Sequence, residues 1–354
     1  MRDFKIDECK RRNKIIRLVT DCFKNWGYNE ISTPIVEFYE TFNHKTQSLK
    51  EEEMYKFFDN KGRILVLRPD MTVPVARLVN SKLKEMEFPL KLFYKANVFR
   101  VHESFEGKRN EYLDCGIEFI GSDGANVDLE VLVTALEALK AIDTKKEFKL
   151  EIGNVNILRS ALKDMDLSIE QQNKVTELIN KKSLTSLKEY LDSINIKEEY
   201  KVFLNKLPWL FGDYEMINKA KELAFNKEMV ESIEYLESLY LNLKELGYEK
   251  YISVDMSMVP RVNYYSGIIF KGHVDAIGST VLSGGRYNNL LEDFGKSIPA
   301  IGFSIDINLL IDSCDYEEWA KSEKIIANKD DYLNGLKDAI AKTRNGENIE
   351  IIYE

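Results

Sequence analysis

Hydrophobic residues recur at intervals of three and four in the first part of the chain, which is the pattern of an amphipathic helix. Ile15, Val19, Phe23 and Trp26 follow this spacing, and Gly27 comes directly after them. Glycine commonly ends a helix because it adopts backbone conformations that other residues avoid. The pattern therefore predicts a first helix that ends before Gly27.

Three strand-like runs rich in β-branched and aromatic residues follow, at residues 62–69, 90–100 and 112–121. A polar segment that contains glycine separates the second run from the third, as in a long hairpin. We therefore expect an antiparallel sheet. Residues 125–142 then carry leucines at helical spacing and predict a helix that begins near Asn126.

The composition of the chain changes between about residues 156 and 247. This stretch is rich in Lys, Glu, Leu and Asn and has no strand pattern. Ser168, with Gln171 three residues later, has the form of a capping box that opens a helix. Strand-like runs resume afterwards. We therefore expect a sheet-forming core at 1–312, a helical insertion within it at about 156–247, and a short C-terminal appendage at 313–354.

The overall composition indicates a globular protein and argues against two classes of ligand. Of the 354 residues, 44% are hydrophobic and 31% are charged, which allows a substantial core. The net charge of −9 disfavours general binding to nucleic acid. No run approaches the roughly 20 apolar residues of a membrane span, and the first residues lack the apolar part of a signal peptide. We predict a cytoplasmic protein that does not bind membranes.

Polar side chains occupy the strand-like runs at positions where a plain core would be apolar. Asp70 and Thr72 follow the first run, and Arg100 ends the second. In the third run Asp114 and Glu118 share one face, because alternate residues of a strand point to the same side. Two carboxylates on one face repel each other unless a cation or a hydrogen-bond donor lies between them. An ammonium group is a suitable ligand for this face.

These residues lie in motifs that resemble those of histidyl-tRNA synthetases. In chain order the motifs are PDMT, FR followed by a charged loop and a strand ending GIEF, YYSGIIF, SGGRYNNL and AIGFSIDINLL. They correspond to the three class II aminoacyl-tRNA synthetase motifs and to two histidine-specific signatures, over about residues 7–311. The resemblance implies an α+β fold in which helices flank an antiparallel sheet of six or seven strands. The sheet holds an amino acid on one face. Proteins with this fold are usually dimers.

The resemblance also implies a pocket for histidine. Asp70 and Thr72 correspond to residues that contact the amino group of the substrate, Asp114 replaces a glutamine in the same subsite, and Glu118 corresponds to the glutamate that meets the imidazole. Such a set can satisfy the polar groups of histidine. The predicted histidine-binding residues are Asp70, Thr72, Arg100, Asp114, Glu118, Tyr264 and Tyr265.

Two positions depart from the pattern of an active synthetase. Leu309 stands where the family has the arginine that neutralises the γ-phosphate of ATP, and Pro260 stands where it has the arginine that supports the activated carboxylate. Arg261 is adjacent, but a shift of one residue along a strand turns a side chain to the opposite face. Loss of one positioned donor lowers a rate by about 10²–10³-fold. Two independent losses therefore predict a rate lower by roughly 10⁴–10⁶-fold.

A synthetase-like core with a histidine pocket, without these arginines and without a full anticodon-binding domain, resembles the regulatory subunits of ATP phosphoribosyltransferase. That resemblance implies a non-catalytic subunit that partners the short-form catalytic subunit in the first step of histidine biosynthesis and binds free histidine for feedback inhibition. It also implies a homodimer within a hetero-oligomer, with no tRNA ligand and no cofactor. The alternatives are a divergent histidyl-tRNA synthetase, which is an ATP-dependent ligase, and a stand-alone histidine-binding module.

Individual residues also have simpler interpretations. Taken alone, Glu118 is consistent with a core carboxylate paired with Arg100, and the tyrosine pair with ordinary sheet packing. Arg286 is interpreted either as a lid over the pocket or as an exposed turn residue. The four cysteines have no metal-ligand spacing, so we expect reduced thiols and no metal site. The histidines, for which we predict no catalytic role, are His44, His102 and His273.

Overall fold

The computed structural model describes residues 3–43, 49–102, 110–142, 144, 146–260, 263–314, 323–327 and 332–353. It has two compact units, Met1–Cys314 and Asp315–Glu354. The helices are α1 (Ile6–Asn25), α2 (Thr72–Ser81), α3 (Ala125–Ala141), α4 (Val155–Lys163), α5 (Ile169–Asn180), α6 (Leu184–Ser193), α7 (Glu198–Lys206), α8 (Glu215–Leu223), α9 (Lys227–Glu245), α10 (Ile307–Leu310) and α11 (Tyr332–Arg344).

The strands form three separate sheets. They are β1 (Asn29–Glu30), β2 (Val36–Phe38), β3 (Lys56–Phe58), β4 (Ile64–Leu67), β5 (Leu90–Phe99), β6 (Glu111–Ile120), β7 (Phe148–Asn154), β8 (Phe211–Gly212), β9 (Ile252–Asp255), β10 (Ile268–Val274), β11 (Leu282–Arg286), β12 (Ala300–Asp306), β13 (Glu323–Ala327) and β14 (Ile349–Tyr353). Within the described residues the main sheet has nine strands in the order β1-β5-β6-β12-β11-β10-β7-β9-β8.

The centre of the main sheet is antiparallel, as the sequence predicts. From β5 to β7 every neighbouring pair runs antiparallel, and the parallel pairs are β1 with β5 and β7 with β9. The sheet is wider than the expected six or seven strands because β1 and β8, of two residues each, extend its edges. The α+β class and the antiparallel sheet flanked by helices are confirmed.

The first strand-like run does not join this sheet. β4 pairs on one side with β2 and on the other with β3, which makes a separate three-stranded antiparallel sheet. Both hydrogen-bonding edges of β4 are therefore used locally, and neither can pair with a strand of the main sheet. The stretch NNLLEDFG at residues 288–295 has the apolar spacing of an α-helix, but Leu290–Phe294 instead form a 3-10 helix that ends at Gly295 with a φ of 107°.

A large hydrophobic core fills the space between the main sheet and helices α1, α3 and α9. Cys115, Ile117 and Phe119 of β6 point into this core, so the alternation predicted for that strand is confirmed. A second core lies on the other face, between the sheet, α2 and the three-stranded sheet. Asp114 and Glu118 therefore project to the side of the second core, where the candidate site lies.

The predicted helix signals are confirmed at several termini. The first helix ends at Asn25, and Gly27 has a φ of 83°. Ser168 caps α5, since its hydroxyl accepts from the Gln171 backbone N–H at 3.2 Å and the Gln171 side chain accepts from the Ser168 N–H at 2.9 Å. Helix α3 begins at Ala125, with Gly124 at its cap. Across the described residues, every helix is too short or too polar to cross a membrane.

In the C-terminal unit, β13 and β14 form a parallel pair that contacts α11. The stretch between β7 and β9 is almost wholly helical, from α4 through α9, with β8 as its short strand.

Candidate functional site

The seven residues predicted from the sequence to bind histidine all line one cavity of about 110 Å³. It lies on the face of the main sheet opposite the large core. Strand β6 and the turn before α2 form one side, and the segment that contains the tyrosine pair forms another. The sequence analysis missed several further lining residues, which include Tyr94, Met258, Lys271, Ser283, Tyr287 and Ser304.

The start of helix α2 holds two of the predicted residues in place. Asp70 lies just before the helix, and its Oδ1 accepts a hydrogen bond from the Val73 backbone N–H at 3.1 Å. Thr72 is the first residue of the helix. A carboxylate at a helix N-terminus is favoured by the helix dipole and by the free N–H groups there. Asp70 is therefore fixed by its own helix with its side chain at the cavity wall.

Strand register creates the space that the Glu118 carboxylate occupies. In the pairing of β6 with β12, Glu118 lies opposite Gly302. A Cβ atom at position 302 would overlap Oε2 of Glu118 and the carbonyl oxygen of Ile117. The missing side chain of Gly302 is therefore what allows a carboxylate to lie flat against the sheet.

We expect Gly302→Ala to remove the binding of any ligand held in this cavity and to lower the free energy of unfolding by about 2–4 kcal/mol, because overpacking forces Glu118 or the strand to move. Thermal unfolding and calorimetry measure the two effects. Gly278→Ala is the matched control, since a Cβ atom there meets nothing within 4 Å. Equal behaviour of the two variants would show that Gly302 does not shape the cavity.

Glu118 is buried, with 1% of its surface exposed, and is hydrogen-bonded to hydroxyl groups. The Tyr287 hydroxyl donates to Oε2 of Glu118, and the Thr72 hydroxyl also forms a hydrogen bond with this carboxylate. Arg100 instead donates from Nε to the Pro69 carbonyl at 2.7 Å. The simpler interpretation of Glu118 as the ion-pair partner of Arg100 is therefore wrong.

Three tyrosines form an aromatic wall beside Glu118. The ring centroids of Tyr264 and Tyr265 lie 5.1 Å apart, and those of Tyr264 and Tyr287 lie 5.7 Å apart. Tyr94 packs from β5 against the backbone of Gly116, where a Cβ atom would meet its hydroxyl at 2.5 Å. The signal for Tyr287 was its place in the SGGRYNNL motif, two residues after the glycine pair.

Burial and the charges of neighbouring carboxylates raise the pKa values of two cavity carboxyls. Burial raises the pKa of Asp114 to about 8, and the charge of Asp306 adds to the shift while Arg100 opposes it. Burial also raises the pKa of Glu118 to about 8, although its hydrogen bonds from Tyr287 and Thr72 act in the opposite direction. The cavity therefore disfavours negative charge on these carboxyls, and a cationic ligand would favour it.

These pKa values predict a pH dependence of stability. A carboxyl whose pKa is raised on folding binds more protons in the folded state, so the free energy of unfolding falls as pH rises from about 4 to about 8. Over this range we expect Asp114→Asn to make the decrease in the free energy of unfolding smaller by on the order of 2 kcal/mol. Urea unfolding of the unligated chain at pH 5 and pH 8 measures it. Asp192→Asn, at an exposed carboxylate, should leave the pH dependence as it is.

Arg286 lies outside the cavity and is buried, with 5% of its surface exposed. Its Nε donates to Oδ1 of Asp128 at 2.7 Å, and its Nη1 lies 3.1 Å from Asp123. Both sequence interpretations of Arg286, as a pocket lid and as an exposed turn residue, are therefore wrong. The buried carboxylate of Asp128 on α3 draws the guanidinium to the far side of β11.

The two positions that depart from the synthetase pattern carry apolar side chains. Pro260 lines the cavity, and Leu309 packs against the large core from α10. Arg261 and His44 lie outside the described residues. The four cysteines are free thiols. Among the residues that the structure describes, no group of three or more His, Cys, Asp or Glu side chains could hold a metal ion.

Comparisons with known proteins identify the family. The family model described as histidyl-tRNA synthetase matches residues 1–310. A curated protein of Clostridium botulinum, named ATP phosphoribosyltransferase regulatory subunit, is 42% identical over 87% of this chain and 73% of its own length. A protein of the same name from Clostridium acetobutylicum is 40% identical over 89% of this chain and 77% of its own length.

Solved structures agree with this relationship. A structure described as an ATP phosphoribosyltransferase regulatory subunit/histidyl-tRNA synthetase from Bacillus halodurans has a TM-score of 0.90 at 31% identity, over 100% of this chain and 91% of that one. Histidyl-tRNA synthetase from Nostoc has a TM-score of 0.82 at 20% identity, over 100% of this chain and 84% of that one, which shows a shared fold. The chain therefore belongs to the histidyl-tRNA synthetase-like family of ATP phosphoribosyltransferase regulatory subunits.

Proposed function

We propose that this chain is the non-catalytic regulatory subunit of an ATP phosphoribosyltransferase and that its cavity binds free histidine. The observation that carries the proposal is the group of three buried carboxylates in one cavity, Asp70, Asp114 and Glu118. Such a group needs a cationic or strongly donating ligand. Histidine supplies both kinds of group, because it has an ammonium group and an imidazole with N–H donors.

Each end of the proposed ligand has a chemically suitable partner. Asp70, Asp114 and the Thr72 hydroxyl offer acceptors for the ammonium group. Glu118, together with the phenols of Tyr265 and Tyr287, offers partners for both imidazole nitrogens. Because Asp114 and Glu118 lie on a strand, and Asp70 and Thr72 lie at a helix terminus, the acidic side of the cavity is formed before the ligand binds.

The proposal that this chain does not catalyse adenylation rests on two side chains. Adenylation develops negative charge on phosphate and carboxylate oxygens, which positioned cations stabilise. Leu309 and Pro260 supply no charge at the two positions where the synthetase pattern has arginine. The alternative of a divergent histidyl-tRNA synthetase would need other cations to do this work.

Feedback inhibition by histidine requires that the ligand bind two states of a complex with the catalytic subunit unequally. By thermodynamic linkage, the state of that partner then changes the affinity for histidine by the same factor. The proposal places this hetero-oligomer in the cytoplasm and includes no role for tRNA.

The test is reconstitution with a short-form catalytic subunit of ATP phosphoribosyltransferase. We expect that subunit to be active only when this chain is added, and histidine to inhibit the pair. Bovine serum albumin at the same concentration controls for non-specific stabilisation. Full activity of the catalytic subunit without this chain would contradict the proposal.

The proposal includes a homodimer, for which the three-stranded sheet offers a surface. Phe38, Leu65 and Phe57 are paired side by side across its strands, so their side chains share one face, with Val36 nearby. Phe38, Phe57 and Val36 are each about 40% exposed. The Arg63 guanidinium lies 4.7 Å from the centroid of the Phe38 ring, and the rest of this face is apolar. An exposed apolar surface rimmed by polar groups is typical of a protein interface.

We expect Phe38→Asp to shift the chain from dimer to monomer in sedimentation velocity experiments, because a charge at the centre of an apolar interface is costly. Phe211→Asp is the matched control, since this phenylalanine is 48% exposed on the helical insertion. An unchanged sedimentation coefficient in the Phe38 variant would place the interface elsewhere.

A further inference from the structure

The charged residues that line the cavity include more carboxylates than cations. Among the described residues that line it, the carboxylates are Asp70, Asp114 and Glu118, and the cations are Arg100 and Lys271. A free amino acid brings a carboxylate as well as an ammonium group. The three acids repel the ligand carboxylate, so this carboxylate needs a cation beside it that the acids do not already neutralise.

Arg100 lies close to the acids. Its Nε is bound to the Pro69 carbonyl, and Asp114 and Asp70 are among the charges that favour its protonated form. Its guanidinium carbon also lies 5.4 Å from the ring centroid of Tyr112. Much of its charge therefore balances these carboxylates.

Lys271 lies across the sheet from those acids. Reading along the ladder from β10 to β6, Lys271 pairs with Ser283, Ser283 with Ser304, and Ser304 with Gly116. Paired residues point to the same face, and Gly116 lies between Asp114 and Glu118 on β6. Three strand spacings put the Lys271 Cα roughly 14 Å from that of Gly116. Because these residues line one cavity, the long Lys271 side chain can extend along this row toward a carboxylate whose own carbon carries the ammonium group held at the acids.

The row between these two ends is polar and has no large side chains. Ser283 and Ser304 contribute hydroxyl groups to the cavity lining, and Gly116 contributes none. Lys271 is partly buried, and burial lowers the pKa of its ammonium group, while Asp255 and Glu151 oppose that change. A half-buried ammonium at the end of a row of hydroxyls is a suitable partner for a carboxylate.

We propose that the Lys271 ammonium group binds the α-carboxylate of the amino acid held in the cavity. This inference rests on the proposed function, because it takes histidine as the ligand. Lys271 is then a specificity-determining residue. It favours the zwitterionic amino acid over histidinol, which has the same ammonium and imidazole groups but an uncharged alcohol in place of the carboxylate.

Calorimetric titration of histidine and of histidinol into Lys271→Met tests the inference. We expect Lys271→Met to weaken histidine binding by at least about tenfold and to leave histidinol binding within about twofold of the wild-type chain. Lys271→Arg should recover most of the histidine affinity, since it keeps the charge. Lys149→Met, on β7 and outside the cavity lining, is the matched control.

The outcomes separate this inference from the proposed function. If the wild-type chain binds no histidine, both fail. If the wild-type chain binds histidine and Lys271→Met binds it with the same affinity, this inference alone fails. Equal weakening of histidine and histidinol binding in Lys271→Met would also overturn it, because that result indicates a structural role rather than recognition of the carboxylate.

Discussion

Glu118→Gln is expected to weaken histidine binding by roughly 100-fold, about 2.7 kcal/mol. Glu118 is 1% exposed, and it accepts a hydrogen bond from Tyr287 on one oxygen. An amide in its place has one N–H₂ group where the carboxylate has an acceptor. That group would face either the Tyr287 hydroxyl or an imidazole N–H, and a buried donor would be left unsatisfied.

Isothermal titration calorimetry measures this effect, and two other variants serve as controls. Glu111→Gln makes the same change on the same strand, at an exposed position. Arg286→Ala should weaken binding less than Glu118→Gln does, because Arg286 lies outside the cavity lining. Unchanged affinity in the Glu118 variant would remove Glu118 from the proposed site.

The second large effect concerns adenylation. We expect histidine-dependent pyrophosphate–ATP exchange by this chain to be about 10⁴–10⁶-fold slower than that of an active histidyl-tRNA synthetase. Pro260 lines the cavity and Leu309 is packed against the core, so neither side chain can stabilise charge on a phosphate.

An authentic histidyl-tRNA synthetase assayed beside the chain provides the positive control for exchange. Histidine binding by calorimetry on the same preparation shows that the cavity is intact. Robust exchange by this chain would support the ligase alternative and contradict the assignment of a non-catalytic subunit.

The sequence predicts those parts of the fold that depend on local pattern. Alternation along β6 separates Asp114 and Glu118 from Cys115 and Ile117, and both sets lie where the pattern places them. The capping box at Ser168 forms as expected. In each case the signal comes from neighbouring residues and from the geometry of a single strand or helix.

Features that depend on distant partners could not be predicted in this way. The Arg286 side chain is directed by Asp128, which is 158 residues away in the chain. The contact of Tyr287 with Glu118 joins residues separated by 169 positions. Similarly, β4 has the composition of a main-sheet strand. Its pairing with β2 and β3 depends on which strands the fold brings beside it, and its own residues do not specify them.

The kind of ligand proposed for the cavity depends on the sum of its charges rather than on any one motif. The sequence placed the acids on one face, but their raised pKa values follow from burial, which only the packed structure supplies. Lys271 had no signal in the sequence, because a lysine on a strand is usually exposed. Its significance comes from the ladder that aligns it with Ser283 and Ser304.

The central claim is that this chain binds histidine and couples that binding to a catalytic partner. Calorimetric titration of histidine into the chain alone, and into its complex with a short-form ATP phosphoribosyltransferase catalytic subunit, tests it most directly. The account predicts saturable binding to the chain alone and an affinity that differs in the complex, since linkage requires reciprocal effects. Absence of histidine binding in both titrations, or identical affinity in the two, would contradict it.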